Sequence, residues 1–406
     1  MSNCLICNRL VEPFISFGKM PIANGFLLPE DFEKEFFFEL KAGYCEQCHM
    51  VQLTETIDPS KLFHANYAYF SSISVRMKQH FAAFAQMVQS KYLSGSDPFV
   101  VEIGSNDGIL LQNFALAGIR HLGIEPSANV AQAAIEKGVN TIVRFFDEQA
   151  GEELREQDGP VDGLLGANVV CHLPDLHSVL RGVRALLKEK GVFIFEEPYL
   201  GDIIEKVSYD QIYDEHVFYF SLHSLAYVFE QHDLEMIAVY PQNVHGGSMR
   251  YVVARKGERP VEEAVREYLA MEERLGLNRP ETYERFRLQV DHSRDRLVAL
   301  LRDLRKQGKR ITAYGATSKS TTVTNFGGIT TDMVEFISDT TPGKQGRYSP
   351  GAHIPVVPYE RFKANPPDYA LLFAWNHGEE IMAREEEFRR RGGKFIVYVP
   401  EVKVVE

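Results

Sequence analysis

The sequence predicts an α/β protein in three parts, a small N-terminal β module followed by two Rossmann-like α/β domains. Three observations predict it. Four cysteines stand as two CxxC pairs, Cys4/Cys7 and Cys45/Cys48. From Phe99 to Phe195, apolar strand-like runs alternate with segments of helical periodicity, the pattern of a mostly parallel sheet with crossover helices. A second strand-turn-helix alternation opens at Arg310 after a charged stretch. Domain boundaries are expected at residues 1–66, 67–280 (including a helical connector) and 281–406.

Paired thiolates two residues apart converge on one tetrahedral Zn²⁺, so Cys4, Cys7, Cys45 and Cys48 are the expected ligands. A redox CxxC normally sits beside a βαβ pattern, and none precedes Cys4. Four thiolates leave no open coordination position, so this metal holds a zinc-ribbon style module together and does not activate water. The fifth cysteine, Cys171, lies in an apolar segment without a partner and reads as core.

The 406 residues are 45% hydrophobic and 25% charged, enough for two or three separate cores. A formal charge of −12 excludes broad attachment to nucleic acid, which rests on phosphate neutralisation by Lys and Arg. The start of the chain has no basic and apolar leader pattern, and no apolar run approaches a bilayer span. The expectation is a cytoplasmic protein without membrane attachment, and a monomer, since no heptad seam demands assembly.

In chain order, short alternating runs such as Phe36 to Leu40 suggest strands of the module, and Met77, Phe81, Phe84, Met87 and Val88 recur at helical spacing. Strands are then expected at Phe99–Ile103, His121–Ile124, Thr141–Phe145, Val161–Leu165 (extending to Ala167 at most) and Val192–Phe195. Helices are expected at Leu110–Ala117, Val130–Lys137 and Leu176–Leu187. Leu234–Tyr240 and Met249–Ala254 read as an antiparallel pair at the sheet edge. The charged residues between Pro260 and Lys309 read as a solvated helical connector. Beyond it, Arg310–Ala316, Val334–Ile337, Tyr369–Phe373 and Phe395–Tyr398 are the strands of the last domain.

The first of the central strands ends in Glu102-Ile103-Gly104 and turns through Ser105-Asn106-Asp107-Gly108, which lets backbone approach a ligand at the carboxyl edge of the sheet. A third glycine at dinucleotide spacing is missing. Glu125 ends the second strand, 21 positions after Gly104, where a carboxylate accepts the ribose hydroxyls of an adenosine ligand. This E-I-G-x-N-D-G with G-I-E-P resembles the S-adenosylmethionine site of class I methyltransferases. The resemblance implies that Gly104, Asn106 and Asp107 meet the methionine portion, that Glu125 and the following Pro126 flank the ribose, that Phe146 and Asp147 lie near adenine, and that Asn168 approaches the sulfonium.

The most chemically loaded segment runs from Tyr209 to Phe220, with Tyr213, Asp214, Glu215 and His216 at its centre. It follows the fifth strand, so a phenol, carboxylates and an imidazole fall where the transferred methyl should be. His172, after the adjacent strand, is a second base candidate.

With Tyr67 to Ser72, His245 to Arg250, Tyr314 to Lys319 and Thr341 to Arg347 added, the whole chain resembles the sugar C-methyltransferases, most closely the C-3′-methyltransferases of dTDP-linked 4-keto-deoxyaminosugars such as the tetronitrose precursor. The resemblance implies deprotonation of C-3 beside the C-4 ketone and attack of the enolate on the sulfonium methyl. His216 is then the base, with Glu215 beside it or in its place, and Tyr213, His172 and Tyr67 hold the sugar. Substrate contacts extend to Tyr69, Ser71, Arg250, Tyr314, Lys319, Asp339, Lys344, Arg347 and Asn376. The strand-to-helix turn at Tyr314-Gly315-Ala316 offers backbone N–H groups to phosphate, with Lys319 adding charge. The alternatives are O- or N-methylation of a nucleotide sugar, and an inactive zinc-module scaffold.

Overall fold

Three β-sheets organise the described residues of this computed structural model, which are 2–63 and 71–406. Tyr67 and Tyr69 lie outside the described residues. In the first sheet, strands Ser2–Asn3, Leu10–Pro21, Phe37–Tyr44 and Val51–Leu53 run antiparallel, each beside the next. Their period-2 alternation turns Val11, Ile15 and Phe17, then Phe38, Leu40 and Ala42, into the core. A fifth strand, Phe218–Tyr219, arrives from far along the chain and pairs with Val51–Leu53. The module is thereby stitched to the segment that follows Tyr213–His216.

The central sheet has seven strands in the spatial order Leu234–Gln242, Ser248–Arg255, Leu187–Pro198, Val161–Ala167, Phe99–Ile103, Arg120–Ile124, Thr141–Ile142. Only Ser248–Arg255 is reversed; it pairs antiparallel with both neighbours and all other pairs are parallel. The expected alternation of strands and helices is present. Helix Val75–Lys91 is capped by the Ser74 side chain and buries Met77, Phe81, Phe84 and Val88, as their spacing predicts. The strand expected at Thr141–Phe145 stops at Ile142, and Val143 and Phe145 are exposed. The fifth strand is longer than its apolar run, because Glu196 and Glu197 continue it while wholly buried and hydrogen-bonded.

The charged stretch forms helices Glu263–Leu275 and Pro280–Lys306, and the reading as a solvated connector needs correction. Tyr283, Phe286, Val290, Leu297, Leu301 and Leu304 form a buried stripe along the second helix, joined to the core shared by the N-terminal module and the last domain. Glu272 is wholly buried, accepting from Tyr199 Oη (2.9 Å), Leu222 N (2.7 Å), and the backbone and Nδ1 nitrogens of His223 (3.1 and 2.7 Å).

In the last sheet the order is Val356–Pro358, Ile337–Asp339, Ile311–Tyr314, Tyr369–Leu372, Lys394–Val397, Lys403–Val405, parallel except for the final antiparallel pair. Gly104, Glu125, Asn168 and Pro198 at the strand ends of the central sheet, and Ala316 and Asp339 at those of the last, line one common cavity. Carboxyl edges of open α/β sheets are where ligands bind.

Candidate active site

The four-cysteine cluster is built from two equivalent turns. Asn8 N donates to Cys4 O and His49 N to Cys45 O, and Asn8 and His49 both take φ of 59° to close their knuckles. Cys4 and Cys48 Sγ stand 3.5 Å apart, Cys7 and Cys45 Sγ 3.3 Å, and all four lie within 4.8 Å of one another. Ligands on a zinc tetrahedron with about 2.3 Å bonds are about 3.8 Å apart, so the cluster fits the ion. Hydrogen bonding to Cys45, with burial adding to it, raises the Cys4 thiol above its ordinary value, a shift that a bound cation reverses.

At the cofactor end, the cavity of about 350 Å³ is lined by Glu102, Gly104, Asn106, Glu125, Pro126, Phe146 and Asn168. Gly104 has φ of +64°, and a Cβ there would lie 2.5 Å from Val169 Cγ2, so only glycine keeps this turn open. Glu125 is held by the backbone N–H groups of Asn106 (3.0 Å) and Ser127 (2.8 Å). Burial raises its pKa, so a diol that donates to its oxygens meets a carboxylate stripped of water. The donor set fits an adenosine ligand.

Two expected cofactor contacts lie outside the lining. Asp107 accepts from Lys137 Nζ (3.0 Å) and from the Ser72 backbone and hydroxyl, tying Ser72 to the turn. Asp147 caps helix Glu148–Asp158 by accepting from Ala150 N at 2.8 Å.

His172, Tyr213, Glu215 and His216 all line the same cavity, along with Ser71. His216 Nδ1 lies 2.9 Å from Gln211 O, and a carbonyl can only accept, so Nδ1 carries the proton and Nε2 accepts from Tyr213 Oη at 2.7 Å. Burial, followed by the neighbouring His172, lowers the His216 pKa well below the ordinary value, and burial alone lowers His172 to about 4. Both imidazoles are neutral at pH 7. Their rings stack at 5.3 Å, with Phe63 on the far side of His172 at 5.4 Å.

Asn24 is a lining residue the sequence did not flag. Its Nδ2 donates to Glu215 Oε1 at 2.8 Å, and Ala23 N donates to Asp214 Oδ1 at 3.0 Å. The N-terminal module therefore reaches into the site 191 residues along the chain. Burial, with Glu215 adding repulsion, raises Asp214 to about 8. Glu197 is another unflagged residue: one of its oxygens accepts from Val169, Val170 and Cys171 N (3.0, 2.7 and 3.4 Å), fixing the loop that carries Asn168 and His172.

The last domain contributes Thr317, Ser318, Lys319, Asp339, Thr341, Lys344, Asn376 and His377 to the lining. Lys319 is 9% exposed and Lys344 8%; burial lowers both pKa values. Lys319 Nζ sits 5.0 Å over the Trp375 ring and donates to His245 O at 3.4 Å, while Lys344 donates to Ala316 O at 2.8 Å. The turn's own N–H groups are consumed: Gly315 N donates to Ser338 O and Ala316 N to Asp339 Oδ2 (2.6 Å). Positive charge facing the cavity from this side comes from the two lysines instead.

Three further expected substrate residues do not line it. Arg250 pairs with buried Glu196 at 2.7 Å across adjacent strands. Tyr314 points into the last domain's core, donating to Glu385 at 2.8 Å, and Arg347 donates to Phe26 O at 3.2 Å.

Comparison with known proteins finds three family models along the chain. Residues 4–63 match the model of a zinc binding domain, 78–239 a methyltransferase domain, and 243–400 a C-methyltransferase C-terminal domain. The C-methyltransferase NovU of Streptomyces niveus is 36% identical over 393 residues, 96% of this chain and 93% of that protein. Among solved structures, an S-adenosylmethionine-dependent methyltransferase from Anabaena variabilis covers 44% of this chain and 86% of its own at 14% identity, with a TM-score of 0.36. No helix among the described residues is long and apolar enough to cross a membrane.

Proposed function

The chain belongs to the C-methyltransferase family and is an S-adenosylmethionine-dependent methyltransferase, and from that premise we propose that it methylates C-3 of a dTDP-linked 4-keto-6-deoxysugar, with or without an amino group, in deoxysugar biosynthesis for an antibiotic. The observation that carries the proposal is the single cavity that joins Gly104 and Glu125 to Tyr213, Glu215 and His216 and ends at Lys319 and Lys344. Gly104, Glu125 and Asn168 would hold the cofactor, which would supply an electrophilic methyl.

Each residue then has a task. Tyr213 turns its phenol from His216 to the C-4 oxygen of the sugar, which frees the Nε2 lone pair. His216 takes the C-3 proton on that nitrogen, while Nδ1–H stays on Gln211 O and fixes the ring. A neutral, desolvated imidazole beside a donor to the developing enolate oxygen suits proton abstraction next to a carbonyl. His172 packs on the face of His216 and closes the pocket. Glu215, steadied by Asn24, orients the sugar. Lys319 and Lys344 neutralise the diphosphate, and Asn376, Thr317 and Thr341 border the nucleotide. The enzyme works as a cytoplasmic monomer.

A panel of dTDP-, UDP- and GDP-linked 4-ketosugars, each incubated with cofactor and read by mass spectrometry and carbon NMR, tests the reading. A methyl on C-3 of a dTDP-sugar is the expected product. A methyl on oxygen or nitrogen refutes it, and turnover of another nucleotide in preference to dTDP refutes the substrate.

A further inference from the structure

Cys171, His172 and His216 each bring a ligand-capable atom within 4.8 Å of the other two. The thiol of Cys171 has no part in the chemistry above. Beside it, Glu197 hydrogen-bonds the thiol, and His172 Nε2 is a buried polar atom without a hydrogen-bond partner, an orphan that is costly unless something occupies the space around it. His172 and His216 also line the cavity, whereas Cys171 does not.

One thiolate and two imidazoles with a fourth position open to a cavity match the donor set and geometry of a zinc-class cation. We infer that the substrate end of the cavity doubles as an inhibitory site for a zinc-class divalent cation, held by Cys171, His172 and His216. One sulfur and two nitrogens on a zinc tetrahedron are about 3.3–3.6 Å apart, so from separations of up to 4.8 Å the three side chains close by about 1.5 Å at most. On binding, the Cys171 S–H proton leaves to solvent and a metal–sulfur bond forms. His216 exchanges its Tyr213 hydrogen bond for the metal through Nε2. The thiolate and the adjacent Glu197 carboxylate balance the two positive charges. The four-cysteine cluster is separate and stays filled, and the groups at Gly104 and Glu125 are untouched.

Occupation removes the lone pair that accepts the C-3 proton. The inhibition therefore rests on the role given to His216, whereas the metal site does not. The test uses the full chain with zinc in its four-cysteine cluster, dialysed against micromolar Zn²⁺ or Co²⁺, with metal content measured per chain. The wild type is expected to take a second metal and, with cobalt, to show thiolate-to-cobalt absorption; Cys171→Ser takes neither. In activity, the ratio without to with zinc is expected to be on the order of 100, the lower range for a positioned base. That ratio falls to near one in Cys171→Ser, which cancels any change in its basal rate. One metal per chain at saturating zinc, or an equal second metal in Cys171→Ser, overturns the site. A second metal that depends on Cys171 yet leaves activity unchanged overturns the inhibition and the assignment of His216 as base.

Discussion

Replacing Asn24 tests whether the zinc-bearing module takes part in the chemistry. Its Nδ2 donates to Glu215 Oε1 at 2.8 Å inside the cavity. A hydrogen bond to a charged partner contributes about 1.5–3 kcal/mol, so Asn24→Ala should lower kcat by about 10- to 150-fold if the bond positions Glu215 in the transition state. Asn24→Asp is nearly isosteric and fills the same space, but it sets a second carboxylate against Glu215. Unit charges about 4 Å apart repel by about 4 kcal/mol at an effective dielectric of 20. The expected order of kcat is Asn, then Ala, then Asp, measured by methyl transfer at saturating substrate with thermal midpoints recorded alongside. If Asn24 only fills space, Asp stays near wild type and Ala is the worse variant. That order would refute the reasoning.

Lys319→Met keeps a stem on Trp375 and removes the buried charge; KM for the nucleotide sugar should rise about 10- to 100-fold, cofactor affinity by calorimetry should not change, and the thermal midpoint should hold or rise. Glu272→Ala strands four donors in the core and should cost about 3–5 kcal/mol in denaturant unfolding. Burial raises the Glu197 carboxyl from 4.5 to about 7. A carboxyl raised in the folded state adds stability that is complete below the unfolded value and lost as pH climbs through the folded one. Wild type should therefore lose about 3 kcal/mol between pH 4.5 and 7 through this group, and Glu197→Gln, which keeps an acceptor for the three N–H groups, should remove that slope in urea titrations.

Much of this was legible in residue order because spacing carries it. Two CxxC pairs fix a ligand set, and a glycine turn followed by an acidic strand end fixes a pocket edge. Tyr213 to His216 are readable as a cluster because they are contiguous. Asn24 is not, since its partner is 191 residues away and tertiary contacts bring the two together, among them the pairing of Phe218–Tyr219 with Val51–Leu53 and the Thr321 hydrogen bond to Ala23 O. Asp147 was open to a better reading: an Asp just before a helix is a cap signal, and it caps. Arg250 and Glu196 occupy directly paired positions on neighbouring strands, so their ion pair depends on a register that one strand alone does not reveal. In Pro280–Lys306 the density of charge masked a 3.6-residue apolar stripe that periodicity would have shown.

The central claim is that a carbon acid is ionised in this cavity. Incubating the enzyme with a dTDP-4-keto-6-deoxysugar and S-adenosylhomocysteine in heavy water, with proton NMR of C-3, isolates that step from methyl transfer. The account predicts loss of the C-3 proton signal with the wild type and its retention with His216→Ala. A wild-type enzyme that methylates the sugar yet never exchanges C-3, or a His216→Ala variant that exchanges as fast, would contradict it.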